Sequence, residues 1–198
     1  MTQFWLIRHG STHTLDHSIA GWTPHVPLNE RGLAEVQALS ARLRGSAFNR
    51  VYTSPLQRAH ETAQALATQL GCDLSTREEL GELRYGEWTG KSFAELEQDA
   101  RFHSYNRFRS GTVIPEGESM LAVQARAVGV LLELRAAHPE EQLLVVTHSD
   151  VIKAVIMHFL GIALDLCHRL EIAPASLTRL ELGSDFARLL SLNDTSHL

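Results

Sequence analysis

The tripeptide Arg8-His9-Gly10 follows directly on an apolar run, Phe4-Trp5-Leu6-Ile7. An imidazole beside a guanidinium offers a nucleophile next to a bidentate anion clamp, and the glycine leaves the backbone unobstructed. Attack on a phosphorus centre needs those parts. His148 repeats the pattern behind a second apolar run, Leu143 to Val146, with a helix start directly after it. The positive end of that helix dipole suits an anion; the alternative for His148 is a helix-capping or core histidine. Arg58 falls one turn into a helix begun by Ser54-Pro55, so its guanidinium can reach back over a strand end. Its alternative is a surface ion pair with Glu61 or Glu35. Glu82 sits in Leu80-Gly81-Glu82-Leu83-Arg84-Tyr85-Gly86. Half-burial there would raise its pKa and keep a proton available for general acid work. Its neighbours Glu78 and Glu79 are expected to be solvated.

These groups meet only if the elements bring them to one place. Phe4–Ile7, Arg50–Thr53 and Leu143–Thr147 read as short buried strands, each running into polar chemistry. If they are parallel, their ends share the sheet edge at which open α/β sheets bind ligands. Asn29 is expected to cap a helix from Glu30 to about Arg44, with Leu33, Val36, Leu39 and Leu43 on one face and Gly45 as its stop. Ser54 as N-cap and Pro55 at the first helical position start a helix that ends at Gly71. Ser92-Phe93-Ala94-Glu95 has capping-box spacing. A longer helix spans Glu118 to Ala137, and Ser149 caps another to about Leu160. Leu177–Leu182 and Ala187–Leu192 suggest a hairpin at the sheet edge. The strand–helix alternation implies an α/β layered fold in one domain, with Gly86 to Gly117 as an insertion over the sheet's edge.

Composition narrows the function classes. The 198 residues carry a formal charge of −5 and no basic tract, which argues against a nucleic-acid binder. No apolar run reaches membrane-spanning length and no signal-type segment precedes Arg8, so a cytoplasmic protein is expected. The two cysteines, Cys72 and Cys167, form no CxxC pair and have no arginine at phosphate-loop spacing, which excludes a cysteine-based phosphatase. Among 11 histidines, His13 and His17 are spaced as two ligands on one helical turn would be. Gly21, Pro24 and Pro27 interrupt that segment, and no third or fourth ligand stands nearby, so neither a metal nor another cofactor is expected.

Further stretches complete a pattern: Thr53-Ser54-Pro55-Leu56-Gln57-Arg58-Ala59-His60-Glu61-Thr62-Ala63, Tyr85-Gly86-Glu87-Trp88-Thr89-Gly90 after Glu82, Pro115-Glu116-Gly117-Glu118-Ser119, and Val145-Val146-Thr147-His148. With Arg8-His9-Gly10 in front, their order and spacing resemble the histidine phosphatase superfamily, the phosphoglycerate mutase-like proteins, over nearly the whole chain. The resemblance implies a three-layer α/β/α sandwich with a mostly parallel central sheet and a small helical insertion. It implies His9 as the phosphorylated nucleophile, with Arg8, Arg58 and His148 holding the transferring oxygens. Glu82 would protonate the leaving group and then activate water. Gly21, Tyr85 and Ser149 align with pocket-lining, substrate-binding positions of relatives.

Two departures bear on the substrate. Where the family often continues Glu-Thr-x-x-Asn, this chain has Ser11, Thr12 and Leu15, so a hydroxyl of Ser11 or Thr12 would have to replace the phosphate-binding asparagine. Where Gly-Gly often follows the second histidine, Ser149-Asp150 stands instead, Asp150 serving either the pocket rim or the helix dipole. The expected activity is phosphomonoester hydrolysis on a small phosphorylated metabolite, by a monomer or homodimer. Phosphoglycerate mutase-type transfer and non-catalytic phosphoester binding are the alternatives. The short insertion's Lys91, Arg101, Arg107 and Arg109 are expected to form a solvated face rather than a carboxylate clamp. His197 either closes over the pocket or caps the last strand.

Overall fold

In the computed structural model, which describes residues 1–198, the alternation resolves into a six-stranded sheet with helices on both faces. β1 (Thr2–Arg8), β2 (Arg50–Thr53), β3 (Asp73–Thr76) and β4 (Gln142–Thr147) run parallel. β5 (Leu177–Leu182) and β6 (Ala187–Asp194) add the antiparallel hairpin, giving the order β3-β2-β4-β1-β5-β6. Side-chain alternation assigns the faces. Phe4, Leu6, Leu143 and Val145 enter one core with α5 (Met120–Ala137) and α6 (Ser149–Leu160). Ile7, Leu144 and Val146 enter the other with α1 (Glu30–Leu43) and α2 (Gln57–Leu70). Both faces are covered, as a parallel sheet requires, and the result is an α/β/α sandwich. The register sets Arg8 beside Thr147 and Thr53 beside Val146, so three strands end level at one edge.

Two short helices, α3 (Phe93–Leu96) and α4 (Ala100–Arg107), lie in the Gly86–Gly117 stretch. The capping box at Ser92 and Glu95 is formed. Trp88, Leu96, Tyr105 and Ile114 join the α5/α6-side core, so the stretch packs down onto the sandwich.

Several expected details differ. Ser54 does not cap α2: the helix starts at Gln57 behind Leu56, and the Ser54 hydroxyl turns instead to His148. Ser149 is the first residue of α6 rather than its cap; His148 occupies the cap position without a side-chain bond to the helix. α5 begins after Ser119, whose hydroxyl accepts the Ala122 N–H, rather than at Glu118. Leu33 is 58% exposed, because α1 turns Gly32 and Val36 to the Gly10–Ser11 turn and Leu33 to solvent. β3 was not anticipated; its Asp73-Leu74-Ser75-Thr76 is short and polar, as an edge strand can be.

Gly10 and Gly32 explain how α1 lies so close to the turn after β1. A Cβ on Gly10 would stand 2.8 Å from the Gly32 carbonyl oxygen, and one on Gly32 would stand 2.1 Å from that of Ser11. Gly10 therefore admits the helix, not a substrate. Glu35 of α1 completes the clamp by accepting both the backbone N–H and the hydroxyl of Ser11, each at 2.8 Å.

Candidate active site

At the level edge, backbone bonds fix the first residue beyond each strand. His9 N–H donates to the Thr147 carbonyl and Ser54 N–H to that of Val146. His9 is 6% exposed, and its two ring nitrogens have different partners. Nδ1 lies 2.7 Å from the Gly10 carbonyl, which can only accept, so Nδ1 carries the proton. Nε2 is left with its lone pair, toward which Arg58 Nε donates at 3.2 Å. Burial, followed by the Arg58 and Arg8 charges, holds the His9 pKa well below the ordinary histidine range. The ring is thus neutral at neutral pH, with a lone pair on Nε2 that can act as a nucleophile.

His148 is fully buried, its ring centroid 5.1 Å from that of His9. Ser54 Oγ accepts the Leu56 N–H, so its own hydrogen is free to donate to His148 Nε2 at 2.8 Å. That assignment puts the ring proton on Nδ1, which has no protein partner and stands 3.8 Å from Glu82 Oε2. Burial first, then Arg58, His9 and Arg8, lowers the His148 pKa and keeps this ring neutral too.

Arg58 is 2% exposed, which rules out the surface pairing. Glu61 instead accepts from Leu28 and Gln57, and Glu35 from Ser11 and Arg31. Arg58 Nη2 donates to the Gly21 carbonyl at 2.8 Å, and its Nη1 has no partner. Arg8 Nη1 donates to the Ile172 carbonyl at 2.7 Å, and its buried Nε is likewise unpaired. Buried N–H groups without partners are costly. Here four cationic or imidazole residues converge with three such atoms among them. Such a set of donors can take the oxygens of a phosphoryl group, which arginine forks suit.

Glu82 is half-buried, with Oε1 accepting the Leu83 N–H. Burial and the Asp150 charge outweigh Arg58, the Leu83 N–H and Arg8, and push its pKa up to about 7. Its loop is tied from behind by Arg126. That guanidinium donates to the carbonyls of Glu79, Gly81 and Glu82, and Trp22 Nε1 donates to the last of these as well. Glu78 and Glu79 face outward and pair with Arg84 and Arg77.

The cavity, about 350 Å³, is lined by Arg8, His9, Arg58, Glu82, Gly21, Tyr85 and Ser149, among others. His148 lies behind this surface. Of the two hydroxyls, that of Ser11 is held by Glu35 away from the cavity, whereas Thr12 lines it and pairs with the Thr14 hydroxyl at 2.9 Å. Arg109 corrects the expectation of a solvated face: it is 7% exposed, lines the cavity and pairs with Asp150. Lys91 is half-buried, and Arg101 and Arg107 are exposed. Asp150 is buried rather than spread on a rim, and accepts the Tyr85 hydroxyl at 2.5 Å. Sequence reasoning missed this pair and the Arg126 clamp. The Tyr105/Arg109 spacing, with the guanidinium 4.8 Å over the ring, was the available signal for the first. His197 bonds the Ala175 carbonyl and Arg42, away from the cavity. His13 and His17 are exposed, and no three His, Cys, Asp or Glu side chains come together as a metal site would.

An α/β/α sandwich with paired histidines and arginines at the parallel-strand ends defines the phosphoglycerate mutase-like class. Comparison with known proteins makes the assignment definite. The family model of the histidine phosphatase superfamily (branch 1) matches residues 4–195, and the chain belongs to that superfamily. It is 26% identical to the adenosylcobalamin/alpha-ribazole phosphatase of Escherichia coli over 96% of this chain and 95% of that one. Among solved structures, Bacillus stearothermophilus YhfR superposes with a TM-score of 0.94 at 28% identity, covering 100% of this chain and 99% of that chain. A phosphoserine phosphatase mutant from Entamoeba histolytica, in complex with phosphoserine, gives 0.88 at 28% identity with 100% coverage of both.

Proposed function

We propose that the protein is a phosphomonoesterase that hydrolyses small phosphate esters through a phosphohistidine on His9. The observation that carries this reading is the setting of His9: Nδ1 lies against the Gly10 carbonyl, which assigns it the proton, and Nε2 faces the Arg58 guanidinium with its lone pair. Phosphatase relatives in the same superfamily support it.

The ester's phosphoryl oxygens exchange onto Arg8, Arg58 and His148 Nδ1–H, groups whose donors are otherwise partly unused. His9 Nε2 attacks phosphorus as the P–O bond to the leaving group breaks. Glu82, able to hold its proton near neutral pH, delivers it to the departing oxygen. Now a carboxylate, Glu82 takes a proton from water, the hydroxyl attacks phosphorus, and the P–N bond breaks to release inorganic phosphate and neutral His9. The arginine charges stabilise the transferring group throughout. No step requires a metal ion, so activity should survive exhaustive chelation.

The test is phosphate release from an aryl phosphate by the purified protein, with trapping of the phosphoenzyme by acid-labile label. His9→Ala should lose both turnover and label. Turnover retained by that variant would overturn the mechanism, and isomerisation of phosphoglycerate faster than hydrolysis of any ester would overturn the phosphatase reading.

A further inference from the structure

Beyond the phosphoryl-holding groups, the cavity wall carries a buried ion pair. Arg109 Nη1 donates to Asp150 Oδ1 at 3.3 Å, and its Nη2 donates to Asn106 Oδ1 at 3.1 Å. Asp150 Oδ2 accepts from Tyr85, so both carboxylate oxygens are engaged. The two charged side chains are 9% and 12% exposed, and both border the same cavity as His9 and Glu82. The pair is the meeting of two elements, the end of the insertion and the first turn of α6. Neither residue is needed to hold the phosphoryl group.

A buried arginine facing a substrate cavity is ordinarily a carboxylate clamp, because its fork matches two oxygens. Here a resident carboxylate occupies that role. A leaving group bearing its own carboxylate meets an Arg109 whose charge Asp150 already balances and of whose three nitrogens only the buried Nε is unpaired, so its binding would set two anions beside one cation. Asp16 borders the same cavity and adds to the repulsion. What the wall offers besides is different: the Ser18 hydroxyl and that of Thr14, which is paired with the Thr12 hydroxyl at 2.9 Å, beside the apolar side chains of Ile19 and Phe102.

We infer that Asp150 is a specificity-determining residue: by neutralising Arg109 it selects phosphate monoesters whose leaving group is uncharged and hydroxylated, and rejects those carrying a carboxylate. This rests on the phosphomonoesterase reading above and adds the substrate class to it. Specificity obtained by repelling the wrong ligand is as effective as attraction to the right one.

Glycerol 3-phosphate and 3-phosphoglycerate form a matched pair of probes, differing by a hydroxymethyl group in place of a carboxylate. The wild-type protein should favour the glycerol ester in kcat/KM by about tenfold or more, as expected for an uncompensated charge in the site. Asp150→Asn keeps the shape and an acceptor for Tyr85 while freeing Arg109. It should shift the ratio toward 3-phosphoglycerate by about tenfold, the scale of one charge-assisted contact. Adding Arg109→Gln should cancel that shift. Each ratio is internal to one protein, so partial misfolding of a variant does not move it. A proportional loss on both esters in Asp150→Asn would show a purely structural role and overturn the inference. So would a wild-type preference for 3-phosphoglycerate, or for phosphoserine over glycerol 3-phosphate. If the wild type hydrolyses no ester, aryl phosphate included, the phosphomonoesterase reading itself fails and the specificity assignment falls with it.

Discussion

Glu82 concentrates the chemistry of the site in one titration. A carboxyl in the unfolded chain loses its proton near pH ~4.3, whereas burial and Asp150 hold the folded one up to about 7. Below the first value both states are protonated and Glu82 favours neither. Between the two values the folded protein keeps a proton that the unfolded chain has shed, so stability falls as pH rises. Above 7 the full cost of ionising a mostly buried group remains, on the order of 3 kcal/mol. Glu82→Gln removes this dependence while keeping the side-chain shape. Urea melts at pH 5 and pH 8 should therefore show the variant gaining stability on wild type as pH rises, by up to about 3 kcal/mol. Parallel stability curves would mean that the folded carboxyl is not raised. The same variant should lose about 10²–10⁴-fold in turnover of alkyl esters, the usual contribution of a general acid. His9 needs no such adjustment, because its lowered pKa already leaves Nε2 unprotonated.

At the scale of elements, the loop bearing Glu82 is held by a helix it does not adjoin in sequence. Arg126 of α5 satisfies three of its carbonyls and is itself paired with Glu118 at 2.7 Å. Arg126→Met would take this donor from the Glu79 and Gly81 carbonyls, leave that of Glu82 with Trp22 alone, and let the carboxyl drift from the leaving oxygen. The expected loss is larger for alkyl than for aryl phosphates, since only the former need a proton to depart. Arg126→Lys should recover part of it. Equal losses on both ester types would reduce Arg126 to a fold-stabilising residue. How far such couplings are legible in the sequence depends on their range. The strands β1, β2 and β4 could be read from apolar runs, and the convergence of His9, Arg58 and His148 followed from their ends. The hydroxyls of Ser54 and Ser149 were misread as helix caps. Local hydrogen bonding makes serine a favoured cap, but Ser54 is taken by a histidine 94 residues away. Arg109 was misread as solvated for the same kind of reason, since its partner Asp150 is brought close only by the tertiary fold.

For the molecule as a whole, the paired arginines at the His9 end of the cavity are a local concentration of positive charge inside a chain of net charge −5. Arg8 and Arg58 are turned toward one cavity, and burial lowers the pKa of each, a direct sign that their charges are poorly solvated there. The folded protein therefore carries an uncompensated electrostatic cost that a bound oxyanion relieves. An anion that binds only the folded state stabilises it by mass action, about 2.7 kcal/mol at a hundredfold excess over Kd. For a chain of this size each kcal/mol raises Tm by about 2–4 °C, so saturating inorganic phosphate should raise it by roughly 5–10 °C. Sodium chloride at matched ionic strength only screens the arginines and should give a small fraction of that shift. Arg58→Met should lose most of the response to phosphate, because the arginine that links His9 to the Gly21 turn is gone. Equal shifts with phosphate and chloride would show that the buried arginines do not form an oxyanion site. A full phosphate shift in Arg58→Met would place the anion elsewhere on the protein.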